Sequence, residues 1–275
     1  MRILLLNQFF WPDSSATSQL LTDLARGLLA RGHQVSVISG DAGYALAESG
    51  EAPAVAIRRV KALPFGRGKA GRVFSYLSFY ARAAFEALRV EKPDLVLTLT
   101  TPPLLPLLGT MLRRLRGARH YIWEMDLYPD VAIDVHYFRA GGLADRVVGG
   151  LADYTRHQAE GIVALGECMK DRLARRGIPR EKISVAENWA DGSVTMPVER
   201  PGDPDHLVIL YSGNFGLAHD AETITGAIRS LAHHASIRFL FVGGGVRKAE
   251  LALTCERERL TGVAFGSYVP RAQLG

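Results

Sequence analysis

The sequence has few cysteines and no long apolar run. Its two cysteines among 275 residues, Cys168 and Cys255, lie in no Cys-x-x-Cys or Cys/His cluster, which excludes a disulfide framework and a zinc site. No stretch approaches the roughly 18 apolar residues that a membrane-spanning helix needs, and the N-terminus lacks the apolar core of a signal peptide. The composition therefore predicts a soluble or peripheral protein of a reducing, cytoplasmic compartment.

Glycine is absent from residues 7–21, "NQFFWPDSSATSQLL", which connect the strand-like "RILLL" to an amphipathic helical pattern. This absence excludes the G-x-G-x-x-G turn of dinucleotide-binding proteins. The stretch instead carries three aromatic residues followed by four small hydroxyl residues: Phe9, Phe10, Trp11, Ser14, Ser15, Thr17 and Ser18. Hydroxyls and free amides at a helix start can bind a phosphate or sugar hydroxyls, and the three aromatic side chains can form an apolar wall beside such a ligand. The alternative is that one serine caps the helix and the aromatic side chains pack locally.

Acidic residues are scarce between residues 58 and 120. That region holds 13 Lys or Arg against three acidic residues, whereas the whole chain has a net charge of only +5. The segment "RRVKALPFGRGKAGRVFSYLSFYARAAF" interleaves these charges with aromatic residues, which predicts docking on an anionic membrane surface. The alternative is that the aromatics form the core face of a helix and the charges a solvated rim. No base-recognition motif is present, so nucleic acid is not expected as a partner.

Strand-like apolar runs alternate with helical patterns along almost the whole chain. This order predicts an α/β fold of doubly wound parallel sheets. Residues 1–190 form the first predicted domain, residues 191–206 a linker rich in Pro, Gly and Asp, and residues 207–275 a second domain. The second domain contains only three predicted strands and two helices, and "PRAQLG" is typical of a further helix start. We therefore expect the second domain to be incomplete.

Two carboxylates follow the strand-like "RHYIW". Ligands of open α/β sheets bind at the carboxyl ends of the strands, so Glu124 and Asp126 are candidates for a base or a hydroxyl-binding group. Either residue could instead cap the following segment.

Glycine-flanked turns follow two strands of the second domain, "YSGNFGLAH" and "FVGGGVRKAEL". Glycines allow a ligand to approach the backbone, and helix starts favour phosphate. Each turn alone is equally compatible with a plain connection, but together they favour a nucleotide diphosphate. No metal is expected, because the Asp-x-Asp of "GDPDH" lies in the linker and the histidines match no zinc pattern.

The segments "ILLLNQFFWPDSSATSQLLTDLARGLLARGHQVSVISG", "YIWEMDLYPDVA", "ENWAD", "ILYSGNFGLAHDAETI" and "FLFVGGGVRKAEL" resemble a family 4 glycosyltransferase. The likeness runs from the first residue to the last and is strongest to bacterial members that build surface polysaccharides. It implies a GT-B architecture of two Rossmann-like domains, with acceptor bound by the first and a UDP- or GDP-linked sugar by the second. It also implies transfer with retention at the anomeric carbon, without a metal or a further cofactor.

The resemblance also implies roles for individual residues. It places an acceptor contact at the first turn, a polar residue near the reacting sugar at Asp126, and contacts to the donor in the second domain. The implied acceptor contacts are Trp11, Ser14, Ser15 and Thr17. The implied donor contacts are Gly213, Asn214, Gly216, His219, Gly243, Gly244, Gly245, Tyr268 and Val269.

Two departures from the family pattern concern the donor site. Relatives often carry a basic residue after the Gly-Asn pair, where this chain has Leu217, and His219 is the nearest candidate. The family's E-x7-E segment would lie beyond Gly275, so we expect the chain to be truncated and to transfer sugar poorly. The sequence predicts transfer to a lipid-linked or saccharide acceptor. The alternatives are a sugar-nucleotide 2-epimerase of the same architecture and a non-catalytic acceptor-binding fragment.

Overall fold

The computed structural model describes residues 1–41, 51–63, 68–190, 192 and 205–269. The chain divides into two compact units, Met1–Trp189 and Ala190–Gly275. Most of the predicted linker, the predicted helix start at "PRAQLG" and Arg67 of the basic region lie outside the described residues. The acceptor and donor functions assigned to the two domains stay predictions.

The first unit contains a parallel sheet with the order β3-β2-β1-β4-β5-β6-β7. Its strands are β1 (Arg2–Leu6), β2 (Gln34–Gly40), β3 (Ala56–Val60), β4 (Leu95–Thr98), β5 (Arg119–Trp123), β6 (Gly161–Ala164) and β7 (Ile183–Val185). Its helices are α1 (Ala16–Ala30), α2 (Gly68–Arg89), α3 (Pro106–Arg116), α4 (Asp130–Asp134), α5 (Leu143–Gln158) and α6 (Glu167–Arg175). The alternation of strands and helices is as predicted; α4 and a 3-10 turn, Arg180–Lys182, were not predicted.

After Arg2 the central strand β1 is apolar and buried, because both of its faces are covered. Leu4 and Leu6 pack in one core with Phe79 of α2, whereas Leu5 packs in a second core with Leu21 of α1. Strand residues alternate between the two faces, so helices on both sides are needed to bury this run.

Helix α3 approaches the sheet closely at Gly109. A Cβ at this position would lie 2.1 Å from the Nε2 atom of His120 on β5, so only glycine fits there. The helix ends at Gly117, whose φ of 68° is the left-handed conformation that terminates many helices.

The second unit contains a smaller parallel sheet with the order β10-β9-β8. Its elements are β8 (Leu207–Asn214), α7 (Ala221–Leu231), β9 (Ile237–Gly244), α8 (Val246–Glu258) and β10 (Val263–Gly266). The core includes Phe215, Phe239 and Phe241. Two parallel α/β sheets, the second smaller, confirm the predicted fold class.

Candidate functional site

Asp126 lies just beyond the carboxyl end of β5, and its carboxylate is partly buried. The backbone N–H groups of Met125 and Asp126 donate to the hydroxyl of Thr100, at 3.2 and 3.1 Å, so the segment after β4 holds this turn. Within the described part of the chain, no donor contacts the Asp126 carboxylate, and partial burial raises its pKa. A carboxylate with raised proton affinity beside a cavity can accept a proton or a hydrogen bond from a hydroxyl.

A small cavity borders this carboxylate. It is lined by Thr100, Leu104, Pro106, Glu124, Asp126, Tyr128, Ala152, Thr155 and Arg156. Most of these residues follow β4 or β5 or belong to α5, so the cavity lies at the sheet edge where the sequence predicts a ligand.

Glu124 is different, because it is only 1% exposed and fully paired. Its Oε1 accepts from Nε of Arg156 at 2.7 Å and its Oε2 from Nη2 at 3.3 Å. Burial raises the pKa of the Glu124 carboxyl, and the guanidinium of Arg156 opposes that shift. The geometry is that of an ion pair that joins the end of β5 to α5. Both Glu124 oxygens accept from Arg156, so neither caps the segment that follows β5. A catalytic role for Glu124 stays a prediction.

The Arg156 guanidinium is the centre of an ionic network. It contacts Asp153 at 2.9 Å, Asp153 contacts Arg176 at 2.9 Å, and Arg176 contacts Asp130 at 3.2 Å. Arg156 also donates to the carbonyl of Tyr128 at 3.2 Å. The segment that carries Asp126 is therefore tied to α5 and to the end of α6.

Two serines of the first turn have buried hydroxyls that make no hydrogen bond among the described residues. Ser15 occupies the N-cap position of α1, yet its side chain makes no cap bond, and its N–H donates to Asp13 at 2.8 Å. The Oγ atoms of Ser15 and Ser18 are buried and make no hydrogen bond among the described residues. Buried hydroxyls are normally satisfied, so the turn is suited to a polar ligand or an ordered water.

The other predicted acceptor residues lie in the same turn. Ser14 and Thr17 are partly buried, and the Ser14 carbonyl accepts from Gln19 at 3.1 Å. Trp11 is partly buried against the core, whereas Phe10, expected as part of an apolar wall for a ligand, is 1% exposed. Phe10 is thus a core residue, because its ring faces the sheet.

Arg59 of β3 holds this turn from the neighbouring strands. Its guanidinium donates to the Ser39 hydroxyl at 2.9 Å, to the Gly40 carbonyl at 3.1 Å and to the Trp11 carbonyl. Burial lowers its pKa. The sequence places Arg59 in a basic cluster and provides no signal that its guanidinium bonds to the first turn.

The glycines of the second unit meet at the carboxyl edge of its sheet. Gly213 pairs with Gly243, and a Cβ on Gly243 would lie 2.0 Å from the Gly213 carbonyl oxygen. A Cβ on Gly245, whose φ is +110°, would lie 2.2 Å from the Phe215 carbonyl oxygen. Close backbone approach by itself therefore requires glycine at Gly243 and Gly245. Phosphate binding by these turns stays a prediction.

The remaining predicted donor residues apart from His219 lie at or near this edge. The Tyr268 ring covers Gly244, and its hydroxyl donates to Oδ1 of Asn214 at 3.4 Å. The Gly216 N–H donates to the Asn214 carbonyl at 2.9 Å. Val269 is exposed just beyond β10.

His219 is held by neighbours on both ring nitrogens. Nε2 lies 3.0 Å from the Tyr211 hydroxyl and Nδ1 lies 3.3 Å from the Gly216 carbonyl. A further basic residue at this edge is Lys248 in the first turn of α8, whose Nζ donates to the carbonyls of Gly243 and Gly266. The "GGGVRK" segment was its only sequence signal. Among the described residues no cluster of three His, Cys, Asp or Glu could hold a metal ion.

The fold defines a class of α/β proteins with two parallel sheets, and comparison with known proteins identifies the family. Residues 16–189 match the model of the glycosyl transferase 4-like domain. The chain belongs to this family.

Two curated relatives of the chain are described as glycosyltransferases. The chain is 25% identical to the probable glycosyltransferase WbjE of Pseudomonas aeruginosa, over 63% of this chain and 46% of WbjE. It is also 25% identical to the putative colanic acid biosynthesis glycosyl transferase WcaI of Escherichia coli K12, over 96% of this chain and 71% of WcaI. The match thus spans less than half of WbjE.

Sucrose-phosphate synthase from Thermosynechococcus elongatus aligns with a TM-score of 0.73 at 16% identity, covering 100% of this chain and 72% of that one. Anabaena HepE, solved in complex with UDP-glucose, aligns at 0.65 and 17% identity, over 98% of this chain and 70% of its own. These likenesses support the predicted GT-B type of fold. No helix within the described residues has the length and apolarity to cross a membrane.

Proposed function

We propose that the protein transfers a sugar from a nucleotide-sugar donor to a lipid-linked or saccharide acceptor in polysaccharide biosynthesis, with retention at the anomeric carbon. The observation that carries the proposal is the partly buried Asp126 carboxylate, which borders a cavity at the carboxyl edge of the first sheet. In this position it can accept a hydrogen bond from an acceptor or donor sugar hydroxyl.

The donor is assigned to the carboxyl edge of the second sheet. Gly213, Asn214 and Gly245 bring backbone groups to this edge, and Lys248 supplies a positive charge beside them. Backbone amides and a cation are the groups that bind a diphosphate. Complexes of the structural neighbour HepE contain UDP-glucose or UDP, which supports a uridine nucleotide here.

The acceptor is assigned to the first turn of the first unit. The hydroxyls of Ser15 and Ser18, which find no partner among the residues that the structure describes, and the exposed part of Trp11 offer polar and apolar contacts to a sugar. An acceptor on a lipid carrier places the enzyme at the inner face of the cell membrane.

Nucleotide binding and turnover test the proposal in two steps. UDP and uridine are titrated into the chain, and UDP release from UDP-sugars is then measured with and without saccharide acceptor. We expect UDP to bind more tightly than uridine, and UDP release, although slow, to depend on acceptor. Conversion of a UDP-sugar to its 2-epimer without acceptor would establish the epimerase instead. Acceptor binding without any nucleotide binding would establish the non-catalytic alternative.

A further inference from the structure

The outward faces of α2, α3 and α5 carry most of the exposed large apolar side chains of the first unit. Helix α2 contacts α3, and α3 contacts α5, so the three form one continuous layer. The exposed apolar side chains on this layer are Phe74, Leu77, Phe85, Leu88, Leu115, Leu143, Val147, Leu151 and Tyr154. We call these residues the apolar face. A contiguous exposed apolar patch on one side of a protein marks an interaction site.

The spacing on α2 produces a stripe directed away from the core. Phe74, Leu77, Phe85 and Leu88 fall within a narrow arc of the helix, since 3.6 residues complete one turn. The core side of the same helix is formed by other residues, among them the buried Phe79. The aromatic residues of α2 are therefore divided between core and surface, and the core alone does not account for them.

The exposed charges on this layer are of one sign, whereas its acidic residues, Glu86, Asp145 and Asp153, are partly buried. Its exposed charged side chains are Arg82, Arg89, Arg113, Arg114 and Arg146. Where burial is described for these three helices, no Asp or Glu is exposed. The Arg89 guanidinium lies 3.8 Å from the centre of the Phe85 ring, and that of Arg114 lies 5.4 Å from the Tyr154 ring. Arginines thus border the apolar stripe directly.

Helix α6 lacks this combination of exposed apolar and basic side chains. Its exposed charged residues carry both signs and include Glu167, Asp171, Arg172 and Arg175. No large apolar side chain of α6 is exposed. The apolar face ends at α5.

We propose that the apolar face docks the first unit on an anionic lipid surface, with its apolar side chains in the headgroup region and its arginines on lipid phosphates. Helices with one apolar and basic face bind lipid in this orientation. A second copy of the chain is a poorer occupant, because a twofold contact would place the arginines opposite the same arginines. The docking rests on the proposed function in one respect, since a lipid-linked acceptor would lie at the same membrane surface. Lipid binding itself is measured without any sugar transfer.

Cosedimentation of the full chain with vesicles tests the docking. The vesicles are phosphatidylcholine alone or phosphatidylcholine with roughly one third phosphatidylglycerol, since the arginines need an anionic headgroup. We expect binding to the anionic vesicles only, weakening with salt. The Arg89→Gln/Arg114→Gln variant should bind about thirtyfold more weakly, because two basic residues are lost. The Lys170→Gln/Arg175→Gln variant removes the same charge from α6 and should bind as the wild type does.

A third variant tests the apolar contribution. Leu77→Gln/Phe85→Gln/Leu88→Gln changes exposed residues only, so its unfolding midpoint should match the wild type while vesicle binding falls at least about tenfold. Equal weakening by the α6 control, or no binding to anionic vesicles, would overturn the docking. Self-association that is lost in the triple variant without lipid binding would establish a protein interface instead. Acceptor-dependent UDP release with a soluble saccharide is independent of these outcomes, so either proposal can fail alone.

Discussion

The carboxylate of Asp126 is partly buried without a donor among the described residues, whereas Asp134 on α4 is exposed. Burial without an ion pair raises the proton affinity of Asp126 and leaves its oxygens accessible to a substrate hydroxyl. This combination distinguishes Asp126 from Glu124, whose two oxygens are already occupied by Arg156.

Asp126→Asn keeps the shape of the side chain and removes its charge. We expect turnover with the native acceptor to fall more than tenfold, about 1.4 kcal/mol of barrier, while the unfolding midpoint stays unchanged. Steady-state UDP release measures the first and thermal denaturation the second. Asp134→Asn is the matched control and should behave as the wild type. A smaller loss in Asp126→Asn than tenfold would remove its role in the reaction.

His120 is completely buried, with Nε2 3.0 Å from the Thr98 hydroxyl. Burial, with the nearby charge of Arg113, lowers its pKa from 6.5 to about 3. The unfolded chain therefore binds a proton at His120 below about pH 6.5, whereas the folded protein binds it only below about pH 3. Between these pH values the free energy of unfolding decreases as the pH decreases.

Between about pH 7.5 and pH 5.5 this effect amounts to roughly 1.4 kcal/mol. Urea denaturation of the wild type and of His120→Gln at both pH values measures it. The variant should lose that much less stability on acidification, because glutamine does not titrate. Parallel losses in both proteins would show that His120 is protonated in the folded state.

Among the secondary-structure elements, β5, α4, α5 and α6 are joined by the Glu124–Arg156–Asp153–Arg176–Asp130 network. A buried ion pair adds little net stability, but removing one partner leaves the other charge buried and unpaired. The network therefore fixes the position of the segment that carries Asp126, and any direct role of Glu124 in the reaction stays a prediction.

Glu124→Gln should lower the free energy of unfolding by about 3 kcal/mol or more, since Arg156 stays buried. Glu160→Gln removes the partner of Arg119 in an exposed pair and should cost far less, because solvent screens exposed ion pairs. Chemical denaturation of both variants gives the comparison. Equal small losses would mean that solvent reaches Arg156 in the folded protein.

In the whole molecule, the two units differ in the size of their cores. The core of the second unit centres on Phe215, Phe239 and Phe241, while the side chains of β8 from Leu207 to Leu210 are exposed. Small cores leave little net stability, so the second unit should unfold first.

The three tryptophans, Trp11, Trp123 and Trp189, all belong to the first unit, so their fluorescence follows that unit alone. We expect far-UV circular dichroism to begin changing at a lower urea concentration than tryptophan emission. Phe239→Leu makes a core side chain of the second unit smaller and should lower the free energy of unfolding of that unit by about 1 kcal/mol. Only the transition at the lower urea concentration should therefore shift. Coincident curves for both probes would indicate a single cooperative molecule.

The sequence alone determined the order of strands and helices. Runs such as "RILLL" are buried on both faces of a parallel sheet, and amphipathic stretches such as 16–30 cover them, so periodicity is sufficient for this assignment. It also located the candidate turns, because ligands meet the carboxyl ends of parallel strands whatever their side chains are. The glycine turns and the segment with Asp126 follow from that rule.

Only the tertiary structure separated residues that the sequence treats alike. Glu124 and Asp126 stand two positions apart with the same chemistry, but Arg156 of α5 pairs with Glu124, whereas no donor in the described part of the chain contacts Asp126. Phe79 and Phe85 occupy one helix, yet the first is in the core and the second on the surface. In each case the side chain is paired, buried or exposed because of residues that are distant in the sequence. Local sequence patterns do not reveal which distant side chains will contact a given residue.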